Sequence, residues 1–266
     1  MTTLLALYYH RARLETRLLL RNRNAVVFSM LLPVFLLVIF GSVFNKTKLG
    51  HTGVSFSQYF VAGLLASGLL YSAFQQLAIA IPEERSNGTL KRLVGSPMPP
   101  SVYFVGKLAA ATFTYIFQAI ALLTIGHFSY GIHIPDSVSL WLDFAWISVL
   151  GLSASSLLGI AFSNFAKNGQ SASALASPVV LFFQFTSGVF FVYANLPKWM
   201  QDIAAVFPLK WMAQAMRGVF LPKIFAVQEV GHSFELPKAA VILGAWTIAA
   251  ALLCRFTFHW LPKNET

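Results

Sequence analysis

The sequence predicts an all-α integral membrane protein. It has six transmembrane helices, an amino-terminal amphipathic interfacial helix, and a re-entrant or interfacial helical segment before the last span. Three observations carry this prediction. Of the 266 residues, 57% are hydrophobic and 11% charged, with a mean hydropathy of +0.67. A soluble domain is about 45–50% apolar and about 25% charged, so this surplus of apolar surface must face lipid. Apolar runs of roughly 20 residues, the length that crosses a bilayer core, recur six times. The remaining charges gather in the joints between those runs.

Residues 1–24 hold Arg11, Arg13, Arg17, Arg21 and Arg23 against a single acid, Glu15. Leu4, Leu7, Leu14 and Leu18 recur at helical spacing, and Arg13, Arg17 and Arg21 form a neighbouring stripe. That pattern belongs to a helix lying on the cytoplasmic membrane surface. The first span, 25–44, is longer than the 7–15-residue apolar core of a cleavable signal, so it stays in the mature protein. Further spans are expected at 59–81, 102–125, 141–162, 171–193 and 239–258. Gly151, Ser155 and Gly159 repeat every four residues in the fourth, which marks a close-packing face.

Between the fifth and sixth spans, 203–220 is apolar but interrupted by Pro208, Lys210 and Arg217. Irregular backbone at membrane depth has to be buried in protein or wetted, which favours a re-entrant or interfacial helix pair. By the positive-inside rule the amino terminus is cytoplasmic. Six spans return the carboxyl tail, 259–266 with Lys263, to the same side. The loop at 127–140 carries no Lys or Arg and is expected outside. The long stretch after Tyr193 holds Lys198, Lys210, Arg217, Lys223 and Lys238, offset in part by Asp202, Glu229 and Glu235.

Several chemistries are excluded. The net charge of +10 comes from residues bordering apolar spans, where they meet anionic headgroups. No groove-reading or base-stacking motif accompanies it, so nucleic acid is not an expected partner. Cys254 is the only cysteine and offers neither disulfide nor metal cluster. Gly106-Lys107 lacks the spacing and the hydroxyl of a phosphate loop, and no metalloprotease or serine-hydrolase motif is present. Hence no catalytic residue, metal or bound cofactor is expected on this chain. Gln75, Gln118, Gln184 and Ser187, with Phe182 and Phe185, are candidates for a substrate path. For an uncharged Gln, a bond between helices is an equal alternative.

The densest charged joint is 82–101, where Glu83, Glu84, Arg85, Lys91 and Arg92 fall within ten residues. Its run PEERSNGTLKRLVGSPMPPSVYFVGK resembles the loop between spans two and three of ABC type-2 transporter permeases. The matching features are Glu83 and Glu84, Gly88-Thr89-Leu90, Ser96-Pro97 and Gly106-Lys107. Where that family often has a further acid before the glycine, this chain has Arg85-Ser86-Asn87. A second run, SPVVLFFQFTSGVFFVYANLPKWMQDIAAVFPLKWMAQAMRGV, is similar to the family's fifth span and the segment between it and the sixth. Its features are Ser187-Gly188, Leu196-Pro197, Trp199, Phe207-Pro208-Leu209 and Arg217.

The resemblance implies a permease subunit of an ATP-driven exporter in a bacterial inner membrane. Two such subunits, identical or paralogous, would pair with two separate ATPase subunits that carry the ATP and Mg. It also implies that Glu83, Glu84, Arg85, Gly88, Thr89, Leu90, Lys91 and Arg92 form a coupling helix seated in the ATPase. The helix bearing Arg13, Arg17 and Arg21 would brace it. The abundance of Phe points to an amphiphilic cargo: a drug, lipid or lipid-linked glycan. Competing classes are an ATP-independent secondary transporter and a non-transport membrane scaffold. The former calls for intramembrane ionisable groups or internal repeats, and the sequence displays neither. The latter places no sequence requirement on the charged joint.

Overall fold

The computed structural model describes residues 2–22 and 26–258. Arg23 and the expected tail 259–266, with Lys263, lie outside the described residues. The helices are α1 (Thr2–Arg21), α2 (Leu32–Phe44, entered through a π turn at Val27–Leu31), α3 (Phe56–Ser86) and α4 (Thr89–Val94). They continue with α5 (Pro100–Tyr130), α6 (Val138–Phe162), α7 (Gly169–Thr186), α8 (Lys198–Val206), α9 (Pro208–Phe220) and α10 (Leu236–Thr257). Two short strands, β1 (Lys48–Leu49) and β2 (Val54–Ser55), pair antiparallel between α2 and α3.

Among the described residues, four helical stretches are long and apolar enough to cross a membrane: Phe56–Ser86, Pro100–Tyr130, Val138–Phe165 and Leu236–Thr257. The other two expected spans fall short of that set. α2 has 13 residues and follows the π turn, and α7 has 18. The fifth span, expected over 171–193, ends at Thr186 because Gly188 takes φ +77 and turns the chain. α7 is also diluted by Gln170, Ser171, Ser173, Ser177 and Gln184.

Two further boundaries differ from expectation. The joint at 82–101 is mostly helix. α3 runs through Pro82 to Ser86, Gly88 breaks it at φ +76, and α4 follows directly. The helical segment expected over 203–220 begins at Lys198. It consists of α8 and α9, hinged on the extended Phe207 with Pro208 opening α9. Pro suits the first turn of a helix because its missing N–H would have no partner there.

α3 is the centre of the bundle and touches α2, α5, α6, α7 and α9. Its most apolar stretch is 72% buried, against 17% for α10, which lies at the rim. Small residues set the close approaches. A Cβ on Gly159 of α6 would stand 2.6 Å from the Phe74 carbonyl, inside the π turn Leu70–Gln75 of α3. One on Gly151 would stand 2.6 Å from Leu69. The small face of α6 therefore serves contact within the chain.

α1 packs along the start of α5 through Tyr8, Arg11, Glu15 and Leu19. Leu4, Leu7, Leu14 and Leu18 are exposed on one flank, and Arg13, Arg17 and Arg21 are exposed on another. This division into a protein face, an apolar face and a cationic face is what an interfacial helix braced on a bundle requires.

Candidate functional site

The charged joint is held from inside. Glu84, near the end of α3, pairs with Lys107 of α5 and accepts the Tyr103 hydroxyl at 2.7 Å. Lys107 also reaches Glu15 of α1 at 2.7 Å, and Glu15 pairs with Arg11. Two cations thus balance two carboxylates across three helices. Lys107 is only 6% exposed, so it does not snorkel to the surface as a lysine near a span's border commonly does. Gly106 makes the contact feasible, since a Cβ there would stand 2.6 Å from Arg11 Cγ. The Gly106-Lys107 pair therefore has a local reason: the glycine admits α1 and the lysine binds it.

The neighbouring charges are also committed. Glu83 accepts from the backbone N–H of Gly169 at 3.1 Å, at the first turn of α7, where a carboxylate meets the positive end of the helix dipole. Arg85 donates to the Ser163 carbonyl at 3.1 Å and to Asn164 Oδ1 at 3.3 Å in the α6–α7 turn. The Thr89 N–H donates to Asn87 Oδ1 at 3.0 Å, and Leu90 is fully buried. Lys91, Arg92 and Val94 face outward. Five charges read together in the sequence therefore divide: Glu84 and Arg85 point into the bundle, Glu83 caps α7, and Lys91 and Arg92 form the outer face of α4.

The six candidate path residues do not line one cavity. Gln118 is buried against α3, donating to the Leu64 carbonyl at 3.5 Å and filling the space left by Gly68. Gln75 donates to Ser177 Oγ at 3.2 Å, and the Tyr71 hydroxyl donates to Gln184 at 3.4 Å, both across the α3–α7 contact. Ser187 is buried at the turn after α7, while Phe182 and Phe185 project outward. A cavity of about 670 Å³ lies elsewhere, between α3, α6, α7, α9 and α10. Its walls include Phe74, Phe162, Phe165, Phe183, Phe207 and Trp246.

The opposite end of the bundle holds a site that sequence reasoning missed. Arg217 of α9 is fully buried and donates through Nε and Nη2 to Glu229, the second contact at 3.1 Å. Its Nη1 reaches the Gly188 carbonyl at 3.1 Å, and the Tyr59 hydroxyl donates to that same oxygen at 2.7 Å. α9, the loop after α7 and the start of α3 are thereby tied together. In the sequence Glu229 served only to offset basic residues. The available signal was scarcity: with nine Asp and Glu in the chain, a cation in an apolar helix has few acids to draw on.

Glu235 accepts from Lys238 at 3.0 Å and from Gln214 at 3.2 Å. Burial pushes its carboxyl up, and those hydrogen bonds push it down by more, so it titrates below the usual carboxylate range. Lys210 is different. It is 6% exposed, and its ammonium rests 3.4 Å from the Trp211 ring centroid. A cation–π contact contributes about 0.5–2 kcal/mol, whereas removing an ammonium from water costs several kcal/mol.

The structure is thus an apolar helical bundle with a charged short helix at one end and a buried Arg–Glu clamp at the other. The family model described as ABC-2 type transporter matches residues 10–221, and the chain belongs to that family. It is 24% identical over 184 residues to "Inner membrane transport permease YadH" of Escherichia coli K12, covering 69% of this chain and 70% of that one. The same figures hold for the YadH permease of Shigella flexneri. It is 26% identical over 175 residues to "Probable multidrug ABC transporter permease YbhR" of Escherichia coli K12, spanning 64% of this chain and 46% of that relative.

Proposed function

We propose that this chain is the permease subunit of an ATP-driven exporter in a bacterial inner membrane. It crosses the bilayer six times with both termini cytoplasmic. α2 with its π turn and the 18-residue α7 supply the two shorter crossings. Eighteen helical residues extend about 27 Å, close to the ~30 Å hydrocarbon core. Two permease chains, identical or paralogous, work with two ATPase subunits that bind the ATP and Mg. The observation that carries this reading is the construction of α4. Leu90 packs α4 into the core directly after α3, the Glu84–Lys107–Glu15 chain ties the end of α3 to α5 and α1, and Lys91, Arg92 and Val94 are presented outward.

A push on that outer face is passed to three helices at once, because the ionic contacts make them one body. Closure of the ATPases on nucleotide would then tilt α3 and α5 relative to the rest, biasing a two-state bundle. Cargo is amphiphilic: an apolar cavity of about 670 Å³ with aromatic walls suits a drug-sized or lipid-like molecule. The polar contacts of Gln75 and Gln184 across α3–α7 are placed to open as the bundle moves.

The test is reconstitution of the chain in vesicles with and without a partner ABC ATPase subunit identified by co-purification. Drug accumulation that requires both proteins and ATP is expected. Uphill movement by the chain alone would overturn the proposal.

A further inference from the structure

At the end of the bundle away from α1, cations and carboxylates do not balance. Glu229 is taken by Arg217, and Glu235 by Lys238 and Gln214. Lys210 is left buried, with no hydrogen bond or ion pair among the described residues: its ammonium rests on the Trp211 and Tyr193 rings, and the Glu235 and Glu229 carboxylates, each already engaged, act on it only from beyond contact. The Lys238 ammonium lies 5.0 Å from the same Trp211 ring, so one indole is flanked by two cations. Like charges gathered on one ring repel, and the three cations Lys210, Arg217 and Lys238 share the two carboxylates Glu229 and Glu235, so one positive charge is left over in a desolvated place.

We propose that Lys210 is the fixed half of a binding site for the phosphate group of a phospholipid, with the exposed Lys238 as its adjustable half. A phosphate bears several acceptor oxygens and can be held by two ammonium groups at once. The surroundings suit a lipid better than a free anion. Pro208 and Leu209, which directly precede Lys210 in α9, line the apolar cavity with Phe207 and Trp246. The apolar lining thus begins at the residue before Lys210 in the chain. This goes beyond the export reading and stands whether or not the ATPase partnership does.

The test uses the purified full chain, stripped of lipid in a neutral maltoside detergent. Phosphatidylglycerol, diacylglycerol and inorganic phosphate are added separately, and native mass spectrometry and the thermal midpoint are read. Wild type is expected to bind phosphatidylglycerol saturably and not diacylglycerol. Lys210→Gln should weaken that binding about tenfold or more, while Lys210→Arg retains it. A midpoint rise with inorganic phosphate that is lost in Lys210→Gln assigns the same phosphate chemistry to a soluble anion. Wild type that responds to neither phosphate compound, or that binds diacylglycerol equally well, overturns the proposal even if the variant fails to fold.

Discussion

Arg217 shows how much one fully buried side chain can hold together. Its guanidinium spends three donors on two targets, the Glu229 carboxylate and the Gly188 carbonyl. Removing one partner of a buried pair costs about 3–5 kcal/mol, because the other is left charged and dry. Arg217→Met and Glu229→Gln are each expected to lower the thermal midpoint of the purified chain substantially. The double variant Arg217→Met/Glu229→Leu should recover much of that loss, and a strictly additive fall would refute the pairing. Arg217→Lys should behave like Arg217→Met, since a single ammonium cannot reproduce a forked contact. The same logic applies to Lys107, whose replacement by Met strands both Glu15 and Glu84.

Among the elements, the end of α3 and the outer face of α4 let folding and the proposed coupling be tested separately. Charge reversal at Glu84 breaks a buried contact and is expected to reduce yield and stability. Charge reversal at Lys91 and Arg92 changes an exposed face, where substitutions usually shift stability by less than about 0.5 kcal/mol. That second variant should insert and melt like wild type yet lose substrate-stimulated ATPase activity in the assembled complex. Retained stimulation would count against α4 as the contact. The α3–α6 seam gives an independent check. Gly159→Leu forces a side chain against the Phe74 backbone, and overpacking of this kind costs about 1–3 kcal/mol. Gly244, with open space around its Cβ position, should accept the same change with little effect on the midpoint.

Across the whole molecule, the proposed topology makes a labelling prediction. Cys254 is the only native cysteine, so a Cys254→Ser background is free of thiols. In that background Asp136→Cys should react with a membrane-impermeant maleimide on intact spheroplasts, and Ser96→Cys only after permeabilisation. The reverse pattern would invert the orientation. The apolar runs, the Pro208 break and the leucine and arginine stripes of α1 were legible in the sequence, because each depends only on local spacing and on the cost of exposing backbone to lipid. Where helices end was less so: α7 stops at Thr186 through a turn at Gly188, and α3 runs on to Ser86 before Gly88 breaks it. Partners were not legible at all. Glu84 finds Lys107 and Glu15, and Arg217 finds Glu229, only when packing brings them together. Sequence by itself determined that the chain lives in lipid and where its polar joints fall, since hydropathy sums over neighbours. Tertiary structure alone decided which charges are buried supports and which are exposed surface, since a charge's cost depends on what surrounds it in space.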